Sequence, residues 1–133
     1  LLLVSSAVLI QACGGDEEQA GQACEVADDC YSDVDVADLK GEVQCLDKVA
    51  GGYCTHLCTT DADCCAVTGE CKGGHPQLCA PFESTGLMMC FLSCEKDALG
   101  DEDEATFCHG FANDTFGCRT TGGGSENRKV CAP

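Results

Sequence analysis

The chain has no tryptophan, and only five phenylalanines and two tyrosines in 133 residues. Large aromatic side chains supply much of the burial in a small core, so something other than burial must hold this chain together. Basic residues are scarce too. Seven Lys and Arg stand against 23 Asp and Glu, a formal net charge of −16. Nucleic acid demands a basic face and anionic lipid demands a basic cluster, so neither is an expected partner. The acidity reads as a well-hydrated surface. The long apolar run, Leu1 to Ala12, is twelve residues. A membrane-spanning helix needs roughly 20, so the run reads as the core of a signal peptide. No basic stretch precedes it, which implies a sequence that starts inside that signal. Catalytic signatures are missing as well. There is no G-x-S-x-G, H-E-x-x-H or P-loop. No C-x-x-C occurs, which argues against the usual zinc pairs and against c-type haem. No enzyme activity, cofactor or metal is expected.

What the chain does have is cysteine, 15 in all. That exceeds the ~8–10% that signals a disulfide scaffold, and an export signal implies an oxidising compartment. An odd count leaves one thiol over. Setting Cys13 apart leaves an even set: Cys24, Cys30, Cys45, Cys54, Cys58, Cys64, Cys65, Cys71, Cys79, Cys90, Cys94, Cys108, Cys118 and Cys131. Each native bridge contributes roughly 2–4 kcal/mol and replaces burial that the composition cannot supply.

The cysteines repeat. Cys24-x₅-Cys30-x₁₄-Cys45 has the same spacing as Cys58-x₅-Cys64-x₁₄-Cys79, and Asp29-Cys30 matches Asp63-Cys64. Self-similarity of this kind marks tandem modules. Unit one spans 24–54, unit two 58–90 and unit three 94–131, holding four, six and four cysteines. Unit three diverges, with x₁₃, x₉ and x₁₂ gaps and no Asp-Cys step. The expected fold is small and disulfide-rich: tandem short modules with sparse secondary structure, short β-hairpins and little helix. Strands are expected at 43–46, 52–55 and 87–92, a helical stretch at 33–40 and a loop at 122–124. Residues 14–23 carry no apolar periodicity and read as a flexible tether. Even counts predict that every bridge closes within its unit. Cys65 and Cys71 are the extra pair and should join. The remaining pairings stay open.

The run Leu9-Ile10-Gln11-Ala12-Cys13-Gly14 resembles the lipobox of bacterial lipoproteins. The resemblance implies cleavage before Cys13, lipid attachment at Cys13 with palmitate-type acylation, and a membrane partner through that anchor. Gly14 in the following position implies the outer membrane or cell surface in the enteric sorting rule. Cys58-Thr-Thr-Asp61-Ala-Asp63-Cys64 resembles the C-x-x-D-x-D-C step of whey-acidic-protein-like and Dickkopf-like extracellular modules. In overall style the chain is similar to cysteine-rich surface lipoproteins of Gram-negative bacteria. The implied role is non-catalytic: a binding or structural protein whose partner is a protein or another surface.

Three rival readings have their own residues. Cleavage after Ala12 without acylation would make a eukaryotic-type secreted cysteine-rich protein, in which Asn113-Asp114-Thr115 would be a glycosylation sequon. Two acidic clusters could hold Ca²⁺: Asp33, Asp35 and Asp38, and Asp97, Asp101, Glu102, Asp103 and Glu104. Neither fits an EF-hand loop, and the second reads as a solvated loop in the widened gap. Vicinal Cys64-Cys65 could be redox-active, but its acidic surroundings do not activate a thiol. His56, His75 and His109 are isolated in sequence and read as surface or loop residues.

Overall fold

Two aspartates start the description, because they build the same corner twice. Asp29 Oδ2 accepts the backbone N–H groups of Glu25 (2.9 Å) and Val26 (3.2 Å). Asp63 Oδ2 accepts those of Thr59 (2.8 Å) and Thr60 (3.1 Å). Each carboxylate caps a single 3-10 turn, Ala27–Asp29 or Asp61–Asp63, and delivers the second cysteine of its unit. The residue after that cysteine has a left-handed backbone in both units, Tyr31 at φ 57° and Cys65 at φ 61°. Such a backbone is uncommon outside glycine. The Asp-Cys step in the sequence is this corner.

The computed structural model describes residues 19–71, 75–82, 86–121 and 127–133. It contains three antiparallel two-stranded hairpins: β1 (Val43–Cys45) with β2 (Cys54–His56), β3 (Gln77–Pro81) with β4 (Met88–Leu92), and β5 (Gly117–Thr120) with β6 (Lys129–Ala132). In every hairpin the last two cysteines of the unit stand opposite one another: Cys45 and Cys54, Cys79 and Cys90, Cys118 and Cys131. Opposed residues project from the same face of a hairpin. Each nevertheless bonds upstream rather than across. Cys24 joins Cys45 and Cys30 joins Cys54. Cys58 joins Cys79 and Cys64 joins Cys90. Cys94 joins Cys118 and Cys108 joins Cys131. With the extra pair Cys65 and Cys71 set aside, the rule is first to third and second to fourth in all three units, including the divergent one. Cys65 joins Cys71. All seven bridges close within the units, and the fold is the small disulfide-rich one expected, with little helix.

The units are spliced without linkers. Leu57, the residue before Cys58, bridges Met89 in β4, and Ser93, before Cys94, bridges Val130 in β6. The N–H of Cys58 donates to Met88 (3.0 Å), and that of Cys94 to Lys129 (3.1 Å). The chain leaving one hairpin is therefore the neighbour of the next hairpin's last strand. Unit one receives an equivalent neighbour. Gly21 N–H donates to the Cys54 carbonyl (2.7 Å), Cys54 N–H to Gln22 (2.9 Å), and Cys24 N–H to Gly51 (3.1 Å). A side chain at Gly52, where φ is 77°, would meet the Cys24 carbonyl at 1.9 Å, so only glycine admits this close approach.

Burial is shared across the units. Tyr53 of unit one, Phe91 of unit two and Phe116 of unit three meet in one core, with ring centroids 6.1 Å apart for Tyr53–Phe91 and 4.7 Å for Tyr53–Phe116. A second, smaller core forms around Tyr31, Leu39 and Ala20, with Val67 and Cys71 of unit two packed on it.

The structure differs from the sequence expectations at several points. The segment 33–40 holds only a 3-10 turn, Val36–Asp38. The widened gap of unit three contains two helices, α1 (Lys96–Leu99) and α2 (Glu104–Phe111), with the acidic residues Asp101, Glu102 and Asp103 in the exposed turn between them. Asp103 caps α2 by accepting from Thr106 N–H (3.2 Å). The end of the expected tether is docked, since Gln19 and Ala20 are buried. Strands β3, β5 and β6 were not foreseen. Residues 1–18, with Cys13 and most of the tether, lie outside the described residues, as does the expected loop at 122–124.

Candidate functional site

The least expected feature is a buried ion pair between units one and two. His56, at the end of β2, is 0% exposed, and Glu70, in the segment closed by Cys65–Cys71, is 1% exposed. His56 Nε2 pairs with Glu70 Oε1. Nδ1 donates to the Leu57 carbonyl (2.7 Å). The other Glu70 oxygen accepts Val67 N–H (3.2 Å). The ring of Tyr31 meets the imidazole edge-on at 5.9 Å, and Cys90 Sγ lies 3.7 Å from Nε2. Burial disfavours the charged imidazolium, but the hydrogen bonds to Glu70 and Leu57 and the charges of Glu70 and Asp63 outweigh it. The pKa of His56 is raised above its ordinary value. The reading of His56 as a surface or loop residue is therefore replaced by a buried, paired one. His75 is half-buried and packs on Phe111 (4.4 Å) and Phe107 (5.5 Å). His109 is exposed on α2.

In each unit the two bridges made by its first two cysteines lie against one another. The sulfurs of Cys24, Cys30 and Cys54 lie within 4.8 Å of one another, as do those of Cys58, Cys64 and Cys90, and of Cys94, Cys108 and Cys131. All are disulfide-bonded and present no thiolate to a metal. Among the described residues, these are the only groups of three or more His, Cys, Asp or Glu placed closely enough to share an ion. The members of the two acidic clusters are not brought together in that way. Asp35 and Asp103 act as turn and helix caps, and Glu104 pairs with Lys129. Cys64 and Cys65 diverge to Cys90 and Cys71. Asn113 Oδ1 accepts both the N–H (2.8 Å) and the hydroxyl (2.6 Å) of Thr115.

Units two and three are tied at the surface by Arg128, which holds Asp61 (2.7 Å) and Glu95 (3.0 Å). These groups are more than a third exposed or nearly so, so each pair contributes at most about 1 kcal/mol. Beside them a cleft of about 300 Å³ opens between the end of β3 and the β5–β6 hairpin. Phe82, Arg119, Thr121 and Val130 are among its walls. No helix among the described residues is long and apolar enough to cross a membrane. No family model, no curated protein and no solved structure matches the chain.

Proposed function

We propose that this chain is a lipid-anchored, non-catalytic surface protein of the cell envelope that presents a rigid acidic array to a protein or another surface. It is a small disulfide-rich protein, compatible with a stabilised structural or binding role. The observation that carries the reading is the bridge pattern. Three units with one connectivity, spliced without linkers and closed by seven disulfides, suit an oxidising compartment outside the cytosol. The pattern takes up every cysteine except Cys13, which leaves that thiol for the acyl chain that the lipobox-like sequence implies. Stable anchoring needs more than one acyl group, and lipoprotein processing supplies them at this position.

The experiment is expression of the full-length precursor in a Gram-negative host with labelled palmitate. Wild-type protein takes up label and partitions with the outer membrane. Cys13→Ser abolishes the label and releases or mislocalises the protein. Equal labelling of the variant ends the lipoprotein reading. Unlabelled wild-type protein recovered soluble, with an N-terminus at Cys13, favours simple secretion instead.

A further inference from the structure

We propose that the loop from Cys65 to Cys71 is a pH-gated clasp, closed over unit one by the buried His56–Glu70 pair and released when the imidazole loses its proton. The bridge that closes the loop has no counterpart in unit one, and the loop reaches back across the unit boundary. Its Val67 and Cys71 pack on the smaller core. The Glu70 carbonyl accepts Ala20 N–H (3.1 Å), so the same loop also holds down the segment that docks on β2.

The hydrogen-bond inventory sets the direction. Both ring nitrogens of His56 face acceptors, the Leu57 carbonyl and the Glu70 carboxylate. An imidazolium has two N–H groups and satisfies both. A neutral imidazole has one. Either tautomer then leaves a lone pair against a buried oxygen, and an unsatisfied buried group is costly. The other groups facing His56 do not reverse this. Asp63, on the 3-10 turn of unit two, favours the charged imidazole and is itself influenced by Lys40. The Tyr31 ring meets the imidazole in a T-shaped contact, and the Cys64–Cys90 bridge does not titrate. Asp33 is engaged by Gln19 through both backbone and side chain, each at 3.2 Å. Release exposes Tyr31, which is 1% exposed when the clasp is shut.

Amide hydrogen exchange on the oxidised protein between pH 6 and pH 9, corrected for intrinsic exchange, tests the clasp. The reporters are the amides of Ala20 and Glu70. The Cys24 amide, bonded to Gly51 outside the loop, is the reference. The expected result is that protection of the two reporters falls by up to about tenfold per pH unit above the His56 pKa, the slope for release of one proton, while Cys24 stays protected. Glu70→Gln should remove the dependence, because an amide can donate to a neutral imidazole. Reporter protection that is flat in the wild type, or that falls in parallel with Cys24, overturns the proposal. So does a Glu70→Gln protein that loosens as the wild type does. If the variant fails to form seven bridges by mass, the wild type still decides. The His56 imidazole signal in NMR must titrate with the same midpoint as Ala20 protection, and different midpoints overturn the clasp.

Discussion

His56 shows how one residue can be invisible in sequence and central in the fold. Nothing around it signals burial; its partner Glu70 lies fourteen residues away on the next unit. The sequence clue is that Glu70 adjoins Cys71 and so sits in the segment closed by the one extra cysteine pair. The pair has a consequence for overall stability. The folded pKa of His56 is raised. Its stabilisation is therefore fully present below the unfolded value of about 6.5 and is lost as pH rises through the folded value. The melting temperature should fall from pH 6 toward pH 9, and His56→Gln should flatten that slope. An unchanged slope in the variant would assign the effect to another group. Asp63 has the opposite sign. Hydrogen bonds from Thr59 and Thr60 hold its carboxyl below the ordinary range, so its contribution is present above the unfolded pKa and lost in acid. Asp63→Ala should lower the melting temperature at pH 7 but make little difference at pH 2, as read by circular dichroism.

At the scale of elements, legibility followed the cysteines and their flanks. Strands β1, β2 and β4 were readable because apolar or β-branched residues flank Cys45, Cys54 and Cys90. Strand β3 was not, because it ends in Pro81, which cannot donate to a ladder and argues against a strand. Strands β5 and β6 alternate with Arg119, Thr120 and Lys129, and their pattern is too polar to stand out. Helix α2 was missed because its acidic start reads as a solvated run. The cap Asp103 with Thr106 and the first-turn Glu104 were the available signal. The loop closed by Cys65–Cys71 gives the element-scale prediction. Its sequence separation is 6, against 24 for Cys30–Cys54. Loop-closure entropy then gives about 2 kcal/mol for the short bridge and about 3 kcal/mol for the long one. A double Cys65→Ser, Cys71→Ser variant should keep six bridges. Its extra exchange should be confined to residues 66–71 and Ala20. Scrambled bridges by peptide mapping would show instead that the extra pair directs the folding of unit two.

At the scale of the molecule, covalent and non-covalent organisation follow different partitions. The bridges respect the units, and the cysteine spacing made that readable. The core does not respect them, and no spacing could reveal it, since Tyr53, Phe91 and Phe116 contribute one ring each from positions dozens of residues apart. Each unit is about 31–38 residues long, below the ~40 that seldom folds without staples or partners. The units therefore depend on their bridges and on one another. Full reduction should abolish the cooperative transition. A sharper test removes one bridge from unit three and reads the result in unit one. Cys108→Ser with Cys131→Ser breaks a closure of separation 23, worth about 3 kcal/mol, and loosens the β6 face that carries Val130. Phe116→Ala removes the ring at the junction itself and should cost about 3–5 kcal/mol. In both variants the Tyr53 ring signals of unit one should shift and broaden in NMR, although no bond to unit one has changed. Tyr53 signals that stay at their wild-type positions while unit three loosens would mean that each unit stands on its own bridges, and that the shared core adds contact without coupling.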